Sequence, residues 1–253
     1  MFNLTGKVAL VVGVANEHSI AWGCAKLFHE AGAKVILTNL NAKAEKFVKP
    51  LADEIDADLL PLNVEFPGEL EQVMAHIKDK YGKLDIALHS IAFAEKEDLH
   101  GRLVDCSAAG FARAMDVSCH SLIRLAKEAE PLMVDGGSII TMSYYGSEKV
   151  VRNYNMMGPV KAALEATVRY LADNLGPQKI RVNAISPGPL ATRAASGLPA
   201  FEELMNLAIK DSPEHRLVTI EEVGALAAFL ASDGAKGITG NTEYIDAGYH
   251  IVG

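Results

Sequence analysis

Apolar and polar positions follow two different periods along this chain. Short runs rich in β-branched residues predict strands at 7–12, 34–38, 58–63, 84–90, 137–143, 180–186 and 242–246. Several of these runs are apolar at almost every position, which is typical of strands that are covered by helices on both faces. Longer segments lie between them and predict helices at 20–31, 41–55, 68–81, 108–134, 155–175 and 219–231.

This order of elements predicts an α/β fold. Right-handed crossovers between the strands would place helices on both faces of one parallel sheet. The sequence has no linker-like break and no internal repeat. We therefore predict that residues 1–253 form a single-domain Rossmann fold with a doubly wound, mostly parallel, seven-stranded sheet. Ligands of such folds bind at the carboxyl ends of the strands, so the residues that follow each strand are the candidates for chemistry.

Composition narrows the class of protein. A chain of 253 residues with a formal net charge of −8 is a poor nonspecific nucleic-acid binder. No run approaches the roughly 20 apolar residues of a membrane span, and no long apolar segment begins the chain. Cys24, Cys106 and Cys119 are irregularly spaced and predict neither a disulfide framework nor a metal site. We expect a cytoplasmic protein that binds no nucleic acid, membrane or metal.

The loop after the first strand has features of a phosphate-binding turn. Gly13 would permit a sharp turn and a close approach of the backbone to a pyrophosphate, and the N-terminus of the next helix favours an anion. Ser19 would cap that helix with its hydroxyl and leave main-chain N–H groups for the phosphate. The G-x-G-x-x-G fingerprint is absent, so an ordinary turn with a serine N-cap remains the alternative.

The ends of the next strands bear on cofactor choice. The second strand ends in T-N-L-N at 38–41, where NAD enzymes often carry an acidic residue and NADP enzymes a basic one. The missing basic residue favours NADH and leaves NADPH open. Asn63 and Val64 end the third strand, where either an adenine site or a helix-capping turn fits equally. His89 ends the fourth strand and is interpreted as a structural residue.

Two tyrosine–lysine pairs compete for a catalytic role between 144 and 161. Tyr154 and Lys161 are seven residues apart, so on one helix they would lie two turns apart and differ by only about 20° around the axis. Tyr145 and Lys149 fall in a glycine-containing loop with no helix to fix their geometry. We interpret the spacing of Tyr145 and Lys149 as a coincidence.

Motifs that span nearly the whole chain carry a family resemblance. They are G13-x5-S19-I-A-x-G23, H89-S-I-A-F-A94, S143-Y144, N153-Y154-N-M-M-G-x-x-K161, V182-N-A-I-S-P-G-P189, A194-A-S-G197 and D246-A-G248. With these motifs the sequence resembles the short-chain dehydrogenase/reductase superfamily and, within it, the enoyl-[acyl-carrier-protein] reductases of bacterial fatty acid synthesis. It lacks the T-G-x3-G-x-G, N-A-G and Y-x3-K motifs of carbonyl-reducing relatives at the matching places.

The resemblance implies a role for particular residues. Tyr154 would be the catalytic tyrosine, Tyr144 a second tyrosine that lines the acyl site, and Lys161 a ligand of the nicotinamide ribose. Ala94 would touch the substrate together with both tyrosines. The implied cofactor contacts are Gly13, Ser19, Ile20, Leu40, Asn63, Val64, Ile91, Lys161, Leu190, Ala191, Thr192, Arg193 and Ala194. NADH-using members often carry Gln and Asp where this chain has Leu40 and Asn63, so the departures concern the adenosine end.

The resemblance also implies partners. The substrate would be an enoyl chain on an acyl carrier protein, and the enzyme a homotetramer with interfaces at 155–175 and the C-terminal strand. Because carrier proteins are acidic and this chain is net negative, docking would need a local basic patch, for which Arg193, Lys210 and Arg216 are candidates. An ordinary solvated surface is the alternative for these three.

Residues 189–217 form a long insertion before the last helix. The mixture of Gly, Pro and Ala with an amphipathic piece at 201–209 suits a lid over an apolar acyl chain, and a packed surface helix is the alternative. The candidate neighbours of the acyl chain are Met156, Met157, Phe201, Leu204 and Met205.

Two other functions remain open from the residues. A carbonyl-reducing dehydrogenase has the same fold and cofactor. A cofactor-binding regulator without catalysis is a second alternative. The joint presence of Ser19, Tyr154 and Lys161 argues against the regulator, because a pure binder needs no tyrosine beside the nicotinamide.

Overall fold

A computed structural model describes residues 2–192 and 201–252 and contains one seven-stranded sheet with the order β3-β2-β1-β4-β5-β6-β7. Every strand pairing within these residues is parallel. The strands are β1 Val8–Val12, β2 Lys34–Asn39, β3 Asp58–Pro61, β4 Ile86–His89, β5 Gly137–Met142, β6 Ile180–Pro187 and β7 Thr242–Ile245. The predicted doubly wound Rossmann fold is confirmed, and the strand order reverses between β1 and β4, where such folds bind their ligands.

Helices cover both faces of this sheet. They are α1 Ile20–Glu30, α2 Ala42–Glu54, α3 Glu69–Tyr81, α4 Lys96–His100, α5 Ala108–Met115, α6 Ser121–Ala129, α7 Met157–Leu175, α8 Phe201–Asp211 and α9 Ile220–Ala231. Most begin and end within a residue or two of the predicted segments. The short helix α4 was not predicted.

The predicted continuous helix at 108–134 is wrong in its middle. A π-helical turn, Asp116–His120, separates α5 from α6, and a 3₁₀ turn, Glu130–Leu132, follows α6. The Ser121 hydroxyl donates to the carbonyl oxygen of Val117, four residues earlier, at 2.6 Å. Back-bonding of this kind competes with the main-chain ladder and distorts helices.

The core consists of two apolar layers, one on each face of the sheet. One layer includes Trp22 and Phe28 of α1 with Leu230 of α9, and the other includes Ile77 of α3 and Leu164 of α7. Glycines allow α1 and α9 to cross closely, because a Cβ at Gly23 would lie only 2.3 Å from a carbonyl oxygen of α9. These layers fix the sheet, and the sheet holds the loops that carry the candidate site.

Neither a membrane-spanning helix nor a metal-ligand cluster is found among the described residues. Their helices lack the combined length and apolar character that a bilayer crossing requires. Histidine, cysteine and carboxylate side chains do not gather in groups of three or more in this part of the chain. The three cysteines carry free thiols.

Candidate active site

The loops after β1 and β4 touch at the centre of the sheet edge. Gly13 has a φ of 112°, and a Cβ there would lie 2.0 Å from the carbonyl oxygen of Ser90. A side chain at position 13 would both strain the backbone and push the two loops apart. Gly13 therefore keeps a narrow cradle between two strand ends, at the start of the loop that leads into helix α1.

Ser19 acts differently from the prediction. Its hydroxyl makes no cap to α1; it accepts hydrogen bonds from the N–H groups of Ala15 and Asn16, each at 3.0 Å, and donates to Asn16 Oδ1 at 3.3 Å. The hydroxyl thus fixes the conformation of the loop before the helix. It does not occupy the main-chain N–H groups of the first turn of α1, which begins at Ile20. A loop fixed in this way and a helix N-terminus not capped by Ser19 fit a pyrophosphate.

The residues predicted for the adenosine end lie on turns. Leu40 is 56% exposed, and the next residue, Asn41, caps α2 by accepting from the N–H groups of Lys43 and Ala44. Asn63 Oδ1 accepts from the N–H of Glu65 at 3.0 Å, which makes an Asx turn. This part of the structure offers an exposed apolar side chain and polar groups that are already satisfied locally.

Val64 follows Asn63 in the loop after β3. Its carbonyl oxygen accepts from Arg124 at 3.0 Å, and Arg124 also donates to Asp116 of the π-helical turn at 2.6 Å. The guanidinium of Arg124 therefore links the loop after β3 to the π-helical turn between α5 and α6.

His89 has a structural role, in agreement with the prediction. The imidazole is buried, with Nδ1 2.9 Å from Thr141 Oγ1 and Nε2 2.7 Å from Ser121 Oγ. Burial lowers the pKa of His89 to about 3, so the ring is neutral at pH 7. Because the Ser121 hydroxyl donates to Val117, the ring donates from Nε2 and accepts at Nδ1.

Ile91 and Ala94 follow β4 and are both half-buried. Ile91 packs against the apolar layer of α3, α6 and α7. Ala94 packs against a separate cluster formed by Ala114, Tyr154, Met156, Met157 and Val160. The structure therefore brings three of the predicted substrate neighbours, Ala94, Met156 and Met157, to the same cluster as Tyr154.

Tyr144 and Tyr154 form an edge-to-face pair. Their ring centroids are 4.9 Å apart at an interplanar angle of 66°. The Tyr144 hydroxyl is buried and makes no hydrogen bond to the described residues. Burial is the largest cause that raises the pKa of both phenols above the ordinary value, and the neighbouring Tyr144 and Glu165 add to the effect at Tyr154. Both hydroxyls keep their protons at pH 7.

The prediction that Tyr154 shares a helix face with Lys161 is wrong in its geometry. Helix α7 begins at Met157, and Tyr154 lies in a turn between Asn153 and Asn155, whose φ angles are 66° and 43°. Asparagine adopts this left-handed conformation more readily than most residues. The Tyr154 ring packs instead on Gly146, where a Cβ would lie 2.5 Å from Tyr154 Cδ1.

Lys161 lies on the buried face of α7. Its side chain belongs to a residue that is only 4% exposed, and Nζ donates to the carbonyl oxygen of Met142 at 2.6 Å. Burial lowers the pKa of Lys161 to about 8, against the opposing effects of Cys119 and Glu165. The ammonium therefore sits at the end of β5, immediately before the strand turns into the Tyr144 loop.

The other tyrosine–lysine pair occupies different surroundings. Tyr145 is buried and makes edge-to-face contacts with Tyr244 and Tyr249, at centroid distances of 6.4 and 6.1 Å. Lys149 is exposed. The Tyr145 ring belongs to an aromatic cluster near the C-terminal strand, whereas Tyr144, the residue before it, faces Tyr154.

Sequence reasoning missed Glu165 and Gly146. The Glu165 carboxylate is buried and accepts hydrogen bonds from the hydroxyls of Ser143 and Ser147. A glutamate four residues after Lys161, on the buried face of a helix, was a signal that could have identified it. Gly146 had no local signal, because its close neighbour is an aromatic ring from a different loop.

The predicted cofactor segment at 190–194 is described only in part. Leu190 is buried, Ala191 is exposed, and Thr192 donates its N–H to the Leu190 carbonyl oxygen at 2.7 Å. Arg193 and Ala194 lie outside the described residues. In the predicted lid, α8 has a stripe formed by Phe201, Leu204, Met205 and Ala208 that is at least partly buried, so this amphipathic piece is a helix.

Comparison with known proteins identifies the family. A profile described as enoyl-(acyl carrier protein) reductase matches residues 13–250. The enoyl-[acyl-carrier-protein] reductase [NADH] of Nostoc sp. is 50% identical over 257 aligned residues, with full coverage of both chains, and that of Bacillus cereus is 46% identical with 99% of each covered.

Solved structures agree with this assignment. The Bacillus cereus enoyl-acyl carrier protein reductase, solved with NADP⁺ and an indole naphthyridinone, has a TM-score of 0.97 at 45% identity and full coverage of both chains. The Anaplasma phagocytophilum reductase, solved with NAD, has a TM-score of 0.95 at 45% identity, with 99% of this chain and 96% of that chain covered. The chain belongs to the enoyl-(acyl carrier protein) reductase family.

Proposed function

We propose that this chain is an NADH-dependent enoyl-[acyl-carrier-protein] reductase that reduces the trans-2 double bond of enoyl thioesters in fatty acid elongation. The observation that carries the proposal is the buried Tyr144 hydroxyl, which has no hydrogen-bond partner among the described residues and lies against Tyr154 beside the end of β5. A buried donor without a partner costs free energy in the resting protein. A thioester oxygen would satisfy it.

The cradle that Gly13 keeps open and the N-terminus of α1 would hold the cofactor. Ser19 fixes the loop before that helix, and the Lys161 ammonium, which donates to Met142 at the end of β5, would also donate to the nicotinamide ribose hydroxyls. When bound, reduced nicotinamide supplies the hydride. No basic residue stands at 39–42, so nothing in that segment favours a 2′-phosphate, and NADH is preferred.

The protein's own contribution is electrostatic. Hydride addition at the β-carbon of the substrate moves negative charge to the thioester oxygen. Tyr154 and Tyr144 present neutral O–H donors to that oxygen, and the Lys161 ammonium places a positive charge nearby. Because the phenols are buried and their pKa values are raised, they donate hydrogen bonds without losing their protons. A proton from solvent, added at the α-carbon, completes the reduction.

The acyl chain lies against the apolar cluster around Tyr154. Met156 and Met157 belong to that cluster and are flexible enough to line a pocket for chains of different length. Helix α8, the described helix of the predicted lid, would cover the acyl chain with its apolar stripe. The carrier protein delivers the substrate to this side of the molecule.

The enzyme is a cytoplasmic homotetramer in this proposal. A groove on α6 and α7 is lined by Ile123, Ala166, Thr167, Tyr170, Leu171 and Asn174. The Tyr170 side chain in this groove is 75% exposed. An apolar helix face of this kind, with an exposed large aromatic, suits association with a second copy of the chain. Sedimentation analysis of the purified protein measures the assembly directly.

The decisive experiment is a substrate comparison. NADH oxidation is followed with a crotonyl thioester and, separately, with a β-ketoacyl thioester. We expect turnover with the enoyl substrate and little with the ketone. Turnover of the β-ketoacyl thioester alone would identify a carbonyl-reducing dehydrogenase, and turnover of neither would favour a cofactor-binding protein.

A further inference from the structure

A buried carboxylate lies one helical turn after Lys161. Glu165 is 6% exposed, and its Oε1 accepts hydrogen bonds from two serine hydroxyls, Ser143 and Ser147, the second at 2.7 Å. A buried charge is costly unless it is hydrogen-bonded or paired. The proposed reaction does not use this group directly, so its retention in the interior needs another reason.

The two serines bracket the segment that carries Tyr144. Ser143 precedes Tyr144 directly, and Ser147 ends the short 3₁₀ turn Tyr145–Ser147. Lys161, on the same helix, donates to the carbonyl oxygen of Met142, the last residue of β5. Helix α7 therefore holds this loop at three points, Met142, Ser143 and Ser147.

Both tyrosines depend on the position of that loop. Tyr144 lies between the two serines and packs edge-to-face on Tyr154. Gly146, also between the serines, contacts the Tyr154 ring so closely that a Cβ would lie 2.5 Å from Cδ1. A movement of the loop away from Glu165 would displace both phenols together.

Glu165 and Lys161 are both buried residues of α7, four positions apart, so their side chains project from the same side of the helix. Cys119 of the π-helical turn and Glu165 of α7 both raise the pKa of Lys161, while burial lowers it. The charge of Lys161 helps to lower the pKa of His89 of β4, which is itself neutral at pH 7. The Glu165 charge acts as well on Tyr154 and on Tyr244 of β7. Of the two groups that raise the pKa of Lys161, only Glu165 is a carboxylate, and it lies on the same helix.

We propose that Glu165 is a positioning residue: it holds the Tyr144 loop against α7 through Ser143 and Ser147, and it keeps the Lys161 ammonium charged. The inference rests on the proposed function, because the reaction it serves is the enoyl reduction. It assigns two separable effects to one side chain, alignment of the tyrosines and protonation of the lysine.

Glu165→Gln removes the negative charge of this side chain and keeps its shape. The amide oxygen still accepts from both serines, but the negative charge is gone. We expect the pKa of Lys161 to fall by on the order of one unit, the effect of losing one nearby opposite charge. Lys161 is charged below its pKa, so activity and NADH affinity should be lost at a lower pH than in the wild type. The pKa is read without cofactor by NMR of protein labelled at the lysine ε-carbons, with Lys161→Ala to assign the signal.

Ser143→Ala and Ser147→Ala test the position of the Tyr144 loop and keep the charge of Glu165. Each removes one donor to Glu165 and leaves the carboxylate in place. We expect kcat with a crotonyl thioester to fall about tenfold, because donor alignment is lost in a preorganised site, with the KM for NADH and the Lys161 pKa nearly unchanged. Asp173→Asn, which neutralises an exposed carboxylate on the same helix, is the control and should change none of these quantities.

The outcomes distinguish this inference from the proposed function. If the wild type does not reduce the enoyl thioester, the proposed function fails first. If the wild type is active but Glu165→Gln has the same Lys161 pKa and both serine variants keep full kcat, the inference alone is overturned. Should Glu165→Gln not fold, unchanged kcat in the two serine variants would still overturn the positioning role.

Discussion

The two ends of the candidate site are built in opposite ways. At the proposed nicotinamide end, Tyr144, Tyr154 and Lys161 bring polar atoms into the interior, and burial shifts the pKa of all three. At the adenosine end, Leu40 is exposed, and the side-chain oxygens of Asn41 and Asn63 are satisfied within their own turns. Buried polar groups that are not fully satisfied mark the place of chemistry, whereas the satisfied turns provide shape.

This contrast predicts large catalytic effects at the buried end and small ones at the exposed end. It also predicts that stability and activity respond differently in the two regions. Natural proteins retain unsatisfied buried groups where function needs them, at the expense of stability. The variants below test the contrast from the largest expected effect to the smallest.

The largest effect is expected for Lys161→Ala. The variant loses the hydrogen bond to Met142 and the ammonium that we propose lies beside the reacting centre. We expect kcat/KM to fall by roughly a thousandfold, about 4 kcal/mol of transition-state stabilisation, together with weaker NADH binding by fluorescence titration. Lys149→Ala is the matched control and should stay near wild type. Full activity in Lys161→Ala would remove the lysine from the mechanism.

Tyr144→Phe should separate activity from stability. The variant loses a donor to the thioester oxygen, so kcat should fall by roughly ten- to a hundredfold. Since the hydroxyl is buried without a partner in the described structure, its removal should leave the free energy of unfolding unchanged or raise it by up to ~1 kcal/mol.

Tyr81→Phe is the matched opposite of that variant. Tyr81 donates its hydroxyl at 3.0 Å to Asp58, which begins β3, whereas the candidate site lies at the carboxyl ends of the strands. Loss of this hydrogen bond should destabilise the fold by about 1 kcal/mol and leave kcat unchanged. A clear loss of stability in Tyr144→Phe would mean that its hydroxyl does have a structural partner.

The wild-type pH profile tests the buried lysine itself. The pKa of Lys161 lies at about 8, below its ordinary value of 10.5. The ammonium is therefore present below about pH 8, and kcat/KM, which reports the free enzyme, should decline as the pH rises through that value. Between the two values the unfolded chain binds more protons, so this group alone makes stability rise with pH there. A flat kcat/KM profile up to pH 9.5 would contradict the assignment.

The fold was largely predictable because its signal is local. Apolar runs such as that of β1 identify strands without knowledge of their neighbours. The preference for Lys161 over Lys149 stays a prediction and rests on a local signal too, since one lies in a strong helical pattern and the other in a loop. Boundaries were less accurate where side chains override propensity, as at the π-helical turn around Val117, where Ser121 bonds back to the main chain.

The site was less predictable because its contacts are not local. The Ser19 hydroxyl bonds to the loop before it rather than to the helix after it. Tyr154 leaves the helix because two flanking asparagines adopt positive φ angles. Glu165 bonds to serines that lie 22 and 18 residues earlier in the chain. The candidate side chains were chosen by residue type, but their partners follow from the packing of α7 against β6 and the 3₁₀ turn Tyr145–Ser147.

Cofactor choice should respond moderately at the exposed end. Leu40→Arg places a guanidinium where the 2′-phosphate of NADPH would lie, and a bidentate pair is its strongest geometry. We expect kcat/KM for NADPH to rise about tenfold, equivalent to about 1.4 kcal/mol, with a small loss for NADH. Leu40→Gln, which adds length without charge, should change the ratio little. If the wild type uses both cofactors equally well, the inference from the missing basic residue is wrong.

The smallest effect concerns the carrier protein. Of the three basic candidates, Arg193 lies outside the described residues, and Arg216 is paired with Glu214 and Glu222, which leaves little net positive charge there. Lys210, exposed in the last turn of α8, is the remaining candidate. Lys210→Glu should raise the KM for a carrier-linked enoyl substrate by about two- to fivefold at low salt, since exposed charges act mainly on encounter.

Salt and substrate provide the controls for Lys210. Added salt should shrink the difference, because exposed charges are screened beyond a Debye length of about 8 Å at physiological ionic strength. A coenzyme A thioester should be reduced as before, because the reacting groups are untouched. Lys236→Glu, a charge reversal at another exposed lysine, between α9 and β7, should affect neither substrate. Equal losses on both thioesters would show that Lys210 shapes the lid and does not receive the carrier.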